Sequence, residues 1–181
     1  IIEGYVNLYK VWKDAKLLKD IIELLKTIEK YFINTKTGHL RLFFDENWKE
    51  KPDVISYGHV IEPVWLLQQC AEISGNEKLI PNFKKYAIQI AEATKEGLDS
   101  DGGLWYEYDP EKKELILEKH WWPQAEALIG FYNAYQLTGK EEYLDIVYKI
   151  WKFTKKHMID HKNGEWFWGI YDDYYTIKKD K

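Results

Sequence analysis

The chain has 181 residues, 45% hydrophobic and 31% charged, so it can bury a core as one globular domain and is not a disordered tail. Its 26 lysines and arginines against 30 aspartates and glutamates give a net charge of −4, which offers no electrostatic basis for binding nucleic acid or an anionic membrane. The single cysteine, Cys70, excludes an internal disulfide framework and favours a reducing, cytoplasmic location, and no apolar run approaches the ~20 residues that span a bilayer.

Six stretches have helical periodicity, at residues 2–12, 16–33, 60–74, 79–97, 122–138 and 141–158. The second, fourth and sixth carry an apolar stripe opposite a polar face, which is typical of outer helices. The first, third and fifth are apolar over more of their circumference, so we interpret them as inner helices. The pattern therefore predicts alternating inner and outer helices.

The connections between these helices alternate in length. Inner helices lead to outer ones through tight turns, whereas outer helices return through about twenty-five residues, and loops that long inside a compact domain are usually functional. Each long loop contains a glycine turn, an aromatic strand-like run and an aspartate, at residues 37–45, 101–109 and 163–172. The loops are therefore copies of one unit.

A repeat of about sixty residues also relates the inner helices. Glu3, Glu62 and Glu126 each lie near an inner helix start, 59 and 64 residues apart. This period indicates stacked helical hairpins. We predict one all-α domain over residues 1–181, a partial (α/α)6 toroid of three helical hairpins whose long loops carry short β-strands on one face. The chain opens without Met, so we expect a fragment of a longer barrel whose exposed ends favour self-association.

The aromatic content of 17%, with nine tryptophans, leaves two interpretations open. These side chains can build a large core, or they can stack on sugar rings beside hydroxyl and carboxylate groups. Composition alone does not separate the two.

His59 is the most suggestive histidine. In Ser56-Tyr57-Gly58-His59-Val60-Ile61-Glu62 it ends a long loop, and Glu62 follows three residues later on the same side of the first helical turn. One interpretation is an imidazole oriented by a carboxylate; the other is a capping histidine with Glu62 as the third helical residue.

A second cluster, Lys119-His120-Trp121-Trp122-Pro123-Gln124-Ala125-Glu126, lies at the start of the next inner helix. Pro123 suits a first helical turn, which places Trp121 and Trp122 at the loop-to-helix junction. The two indoles could form the floor of a sugar subsite or pack in the core. Glu126 needs a partner if buried, either a sugar hydroxyl or a structural Arg, Lys or Tyr.

The sequence carries no metal-binding signature and no phosphate-binding glycine loop. We therefore expect chemistry without a metal or a cofactor. The expected partner is a small saccharide, not a nucleic acid or a membrane.

These motifs, together with Gly130-Phe131, Ala134-Tyr135-Gln136-Leu137-Thr138-Gly139 and Gly164-Glu165-Trp166-Phe167-Trp168, resemble the N-acylglucosamine 2-epimerase superfamily, and within it the cellobiose 2-epimerases. The resemblance implies an (α/α)6 barrel that inverts C2 of a reducing-end glucose through ring opening and a cis-enediolate. Two histidines would act as general acid and base without a metal.

The resemblance also implies individual roles. His59 matches one of the two histidines, and Glu62 matches the carboxylate that supports it. Trp122 matches a tryptophan that stacks on the sugar, and Trp48 matches a second one at the pocket rim. Trp121 and Glu126 complete the expected substrate-binding set.

Three departures limit what the resemblance implies. Val60 and Pro63 stand where the family usually has Asp and a small residue. The second catalytic histidine belongs to a later Trp-Lys-x-Pro-Tyr-His-Asn stretch that the chain does not contain, and a further family histidine would precede Ile1. We therefore expect the 181-residue chain alone to be inactive.

Four other functions stay open at this point. Two are related enzymes, an N-acylglucosamine 2-epimerase and a mannose isomerase. A third is a glycoside hydrolase on the same toroid that uses Glu62 with Glu126 or a loop aspartate. The fourth is a non-catalytic, sugar-binding helical scaffold.

Overall fold

The computed structural model describes residues 1–51 and 54–177. Its helices are α1 (Ile2–Val11), α2 (Ala15–Thr27), α3 (Tyr57–Ser74), α4 (Leu79–Thr94), α5 (Trp121–Thr138) and α6 (Glu141–Phe153). Each outer helix ends in a short irregular turn, Ile28–Phe32 after α2, Lys95–Gly97 after α4 and Thr154–Met158 after α6. The six predicted helices are confirmed, and α3 begins three residues earlier than expected.

The helices pack as three hairpins, α1 with α2, α3 with α4, and α5 with α6, and the inner helices α1, α3 and α5 lie side by side. The inner helices approach closely where Gly130 faces Ile61, since a Cβ at Gly130 would lie 2.6 Å from Cγ1 of Ile61. The fully buried residues Ile61 and Phe131 belong to the core between the second and third hairpins. This arrangement confirms the predicted inner and outer layers.

Local sequence signals set the helix ends. Asp14 caps α2, and its Oδ1 accepts a hydrogen bond of 2.8 Å from the backbone N–H of Leu17. Helices α3 and α5 end at Gly75 and Gly139, whose φ angles of 66° and 68° lie in the left-handed region that glycine adopts without strain. The tight turns predicted after the inner helices therefore form as expected.

The three long loops share one backbone turn, as their repeated sequence predicted. Gly38, Gly102 and Gly164 have φ angles of 80°, 93° and 92°. Their N–H groups donate to the carbonyls of equivalent residues three or four positions earlier, Asn34, Asp99 and Asp160.

Short strands lead from these loops into the inner helices. One antiparallel sheet has the order β1 (Ile55–Ser56), β2 (Glu107–Asp109), β3 (Glu114–Ile116), and a second pairs β4 (Glu118–His120) with β5 (Gly169–Tyr171). Ser56 pairs with Glu107, and His120 pairs with Gly169. Because β1 and β4 run directly into α3 and α5, the sheets fix the starts of two inner helices.

A buried lysine joins two parts of the second long loop, and no sequence signal singled it out. Lys119 is 1% exposed, and its Nζ lies 2.5 Å from Asp99 and 2.6 Å from Asp101. The same ammonium lies 4.0 Å from the ring centroid of Trp105. Lys119 therefore ties β4 to the preceding glycine turn.

Within the described ranges, no helix combines the length and apolarity needed to cross a membrane.

Candidate active site

His59 is the third residue of α3, and its ring is exposed. Its Nδ1 lies 2.9 Å from Oγ of Ser56. The imidazole also lies against the indole of Trp122 on α5, with 4.7 Å between ring centroids. The structure thus brings together two of the residues that the sequence singled out, from the starts of two neighbouring inner helices.

Gly58 makes the contact between His59 and Trp122 possible. A Cβ at Gly58 would lie 2.4 Å from Cη2 of Trp122, a distance that real Cβ contacts do not show. The indole therefore occupies the space that any side chain at position 58 would need. Because the indole packs directly against α3 at Gly58, it lies next to the ring of His59, the following residue.

We expect Gly58→Ala to displace the Trp122 indole and to lower the free energy of unfolding by about 1–3 kcal/mol, the usual cost of overpacking. Urea unfolding of the 181-residue chain measures this. Gly4→Ala in α1 is the matched control, because nothing lies within 4 Å of a Cβ there and alanine favours a helix. Equal stability of the two variants would contradict the close contact.

Tyr106 and His120 extend the aromatic surface beyond Trp122. The Tyr106 ring meets Trp122 edge-on at 6.4 Å and stacks on His120 at 3.9 Å. His120 Nε2 lies 2.8 Å from Oε2 of Glu118. Burial, with the neighbouring Glu107 carboxylate, raises the pKa of Tyr106. Tyr106 lies in the repeated aromatic run of the second loop, which was the only sequence signal for its role.

Carboxylates from three inner helices influence one another on this side of the molecule. Glu62 is half-buried, and burial, followed by the charges of Glu126 and Glu3, raises its pKa above the ordinary 4.5. Glu126 accepts a 2.8 Å hydrogen bond from Nε1 of Trp65. Among structural partners the sequence suggested an Arg, Lys or Tyr, and the indole of Trp65 stands there instead. Contact of Glu126 with a sugar hydroxyl stays a prediction. Any N–H donor can satisfy a carboxylate, and Trp65 lies opposite on α3.

The raised pKa of Glu62 predicts a pH-dependent gain in stability for Glu62→Gln. The folded state favours the protonated carboxyl, so the free energy of unfolding of the native chain falls as pH rises through the ordinary carboxyl pKa toward the raised one. The variant lacks this loss, so it should be the more stable protein near pH 7, with a smaller difference near pH 4.

Thermal unfolding of Glu62→Gln at both pH values measures this difference. Glu46→Gln, at an exposed position, is the control and should change little at either pH. A Glu62→Gln variant that is less stable than the native chain at both pH values would contradict the unfavourable ionisation of Glu62.

The capping interpretation of His59 and Glu62 is wrong. Ser56 is the N-cap residue of α3, so His59 lies within the first turn and Glu62 lies six positions after the cap. The helix begins early because β1 pairs with β2 up to Ser56 and the N–H of Tyr57 donates to the carbonyl of Tyr106. The hydrogen bond at Nδ1 of His59 joins it to Ser56, and steering of the imidazole by Glu62 stays a prediction.

Trp121 lies on a different surface from Trp122. The backbone N–H of Trp121 donates to the backbone carbonyl of Trp168, and its ring centroid lies 6.5 Å from that of Trp166. Together with Glu165, these residues line a cavity of about 420 Å³. Adjacent helical residues point about 100° apart, so the two neighbouring indoles face different surroundings.

Trp48 packs mainly against aromatic residues of its own hairpin. It stacks on Tyr31 with 4.1 Å between ring centroids, meets Phe32 edge-on and lies tilted against Phe44. Trp48 and Pro63 both line a largely apolar cavity of about 350 Å³. Its place at the rim of a sugar pocket stays a prediction.

The candidate site therefore combines an imidazole, neighbouring carboxylates and aromatic faces. An imidazole can accept and return a proton near neutral pH, and aromatic faces suit the apolar side of a sugar ring. Across residues 1–51 and 54–177, no three His, Cys, Asp or Glu side chains are grouped as metal ligands.

Comparison with known proteins shows similarity over almost the whole chain. The sequence pattern of the N-acylglucosamine 2-epimerase (GlcNAc 2-epimerase) family matches residues 1–179. The cellobiose 2-epimerase of Bacteroides fragilis is 40% identical over 96% of this chain, and that of Dictyoglomus turgidum is 36% identical over 96%.

A solved structure has the same fold. The cellobiose 2-epimerase of Bacillus thermoamylovorans superposes with a TM-score of 0.91 over 98% of this chain, at 35% sequence identity. That match covers 45% of the solved chain, and the two curated relatives are covered over 44% of their lengths. The chain thus spans less than half the length of these relatives, and the predicted partial toroid is confirmed.

Proposed function

The chain belongs to the N-acylglucosamine 2-epimerase family, and we propose that it carries part of the active site of a sugar 2-epimerase that acts on a cellobiose-type disaccharide. The observation that carries this proposal is the imidazole of His59 against the indole of Trp122, at the starts of two inner helices. A sugar stacked on Trp122 would have its carbon skeleton beside a group that exchanges protons near neutral pH.

The reaction begins with opening of the reducing-end glucose ring, which gives a free aldehyde at C1. The proton on C2, acidified by that aldehyde, passes to an acid–base group of the enzyme. The C2–H electron pair forms a C1=C2 double bond while the carbonyl π pair moves onto the C1 oxygen, which gives a cis-enediolate. A proton then returns to C2 from the opposite face, and ring closure gives the mannose epimer. No redox partner is needed, because one C–H bond breaks and another forms at the same carbon.

We assign one of the two proton transfers at C2 to His59. Efficient general acid–base catalysis needs a group that titrates near the working pH, and imidazole meets that requirement without a metal. The other transfer belongs to a second histidine, which the family resemblance places outside this chain. The 181-residue chain alone is therefore expected to be inactive.

We assign Glu62 and Glu126 to hydrogen bonds with sugar hydroxyls and to the electrostatic field around His59. Burial, with the charges of Glu126 and Glu3, raises the pKa of Glu62, and its carboxyl oxygens can accept hydrogen bonds from sugar hydroxyls. Glu126 is held by Trp65, which fixes its orientation across the gap between α3 and α5. Trp121 and Trp48 remain proposed contacts for more distant parts of the saccharide.

Self-association of the 181-residue chain also remains a proposal. It is supported by exposed apolar residues on α1 and at its C-cap, Tyr5, Leu8, Val11 and Trp12. A similar set, Trp121, Ile129 and Tyr132, is exposed on α5.

The test is incubation of cellobiose in heavy water with the longest natural open reading frame that contains this chain. Proton NMR should show deuterium entering C2 of the reducing-end sugar as the mannose epimer forms. Release of free glucose without deuterium at C2 would instead support the hydrolase alternative, in which Glu62 and Glu126 act as the acid pair. Absence of both products, and of isomers in parallel incubations with N-acetylglucosamine and with mannose, would overturn the proposed catalysis.

A further inference from the structure

Ser56 occupies the N-cap position of α3, but its side chain makes no capping hydrogen bond. A serine at this position normally accepts a hydrogen bond from a backbone N–H of the first turn, which stabilises the helix. Here Oγ lies instead 2.9 Å from Nδ1 of His59. The Ser56 hydroxyl therefore bonds to the imidazole of His59 and not to a backbone N–H of the first helical turn.

The surroundings of Ser56 hold this hydroxyl in place. The residue is 1% exposed, and its backbone pairs with Glu107 as the last residue of β1. The following residue is anchored as well, because the N–H of Tyr57 donates to the carbonyl of Tyr106. The imidazole also contacts the indole of Trp122, with 4.7 Å between the ring centroids. The ring of His59 is therefore positioned by a buried hydroxyl and an indole.

We propose that Ser56 is a positioning residue that keeps a proton on Nδ1 of His59, so that Nε2 is the nitrogen that exchanges protons with the sugar. This inference rests on the proposed function of His59. A base that works through Nε2 carries a proton on Nδ1 both before and after it accepts the substrate proton. Oγ of Ser56 can accept from Nδ1–H in both states, so the hydrogen bond does not reorganise during the reaction.

A neutral hydroxyl suits this task for a further reason. A carboxylate at Nδ1 would stabilise the imidazolium strongly and would hold the proton that has to be returned to the substrate. A hydroxyl that accepts from Nδ1–H favours this tautomer without adding a charge. The tautomer of a histidine is set by the hydrogen bond at its other nitrogen, so replacement of Ser56 should change it.

The tautomer test uses the 181-residue chain labelled with ¹⁵N on histidine, in which loss of the signals in His59→Gln identifies His59. Long-range ¹H–¹⁵N spectra above the titration of the ring should show the Nδ1–H form as dominant, and Ser56→Ala should reduce its share. A dominant Nε2–H form, or an unchanged tautomer in Ser56→Ala, would overturn the proposal.

The activity test uses the complete protein that contains this chain. Ser56→Ala should lower kcat for C2 epimerisation by about tenfold to a hundredfold, as loss of an orienting partner does, and leave KM within about twofold. Ser74→Ala is the control, because it removes a buried hydroxyl at the other end of α3 and should leave kcat unchanged. Where His59→Gln lowers kcat, a Ser56→Ala enzyme with native kcat would overturn the positioning role.

The two tests separate this inference from the function on which it rests. If Ser56→Ala changes the tautomer while His59→Gln keeps native activity, the positioning of the ring is supported and the proposed catalytic role of His59 fails. If Ser56→Ala lowers kcat with an unchanged tautomer, the catalytic site is supported and the role given to Ser56 fails.

Discussion

Replacement of His59 by Gln should lower kcat/KM for epimerisation by the complete protein about 10²- to 10⁴-fold, the range that one general acid–base group contributes. Glutamine keeps a hydrogen-bonding amide of similar reach but does not titrate near neutral pH. KM should change little, since the indole of Trp122 still offers its face to the sugar. Initial rates of mannose formation measure the effect.

The control for His59→Gln is His161→Gln. His161 is exposed in the third glycine turn, where its Nε2 contacts the carbonyl of Lys155. That variant should retain native kcat and KM. If His59→Gln proved as active as His161→Gln, His59 would have no part in the chemistry.

Replacement of Lys119 by Met should lower the free energy of unfolding by about 3 kcal/mol, because it leaves Asp99 and Asp101 without their buried cation. We expect the lower end of the usual range for a broken buried pair, since the two carboxylates keep 26% and 16% exposure. Burial acts to raise the pKa of Asp99, but the hydrogen bond from Lys119, with those from Ser100, outweighs it and holds that pKa below its ordinary value. Urea unfolding of the 181-residue chain measures the loss.

Lys112→Met is the matched control for Lys119→Met. Lys112 also pairs with an aspartate, Asp109 at 2.9 Å, but the lysine side chain is 71% exposed. Exposed pairs contribute little, so this variant should lower the free energy of unfolding far less than Lys119→Met does. Equal losses in the two variants would show that the burial of Lys119 carries no special cost.

The sequence predicted the helices because their packing is periodic. An apolar stripe at helical spacing marks a buried face wherever it occurs, and the three glycine turns repeat because each needs a positive φ. The sequence did not predict the first residue of α3, because the helix start depends on the pairing of Ser56 with Glu107, about fifty residues away. No local pattern encodes that pairing.

The candidate site was predictable only in part, for the same reason. Contact between His59 and Trp122 required that two similar helix starts lie side by side, which the repeat implied. The partner of Glu126 depends instead on where the Trp65 indole points across a helix interface. Likewise, Lys119 resembled a surface residue in sequence, because lysine is rarely buried unless paired, and its partners Asp99 and Asp101 lie 20 and 18 residues earlier in the same loop.

The most direct test of the account is a crystal structure of the complete protein with an open-chain alditol analogue of cellobiose. The proposed role of His59 requires that its Nε2 lie within about 3.5 Å of C2 or its hydroxyl, the separation of a reactive arrangement, with the sugar chain beside Trp122. An analogue bound only in the cavity between Trp121 and Trp166, without contact to His59, would contradict it.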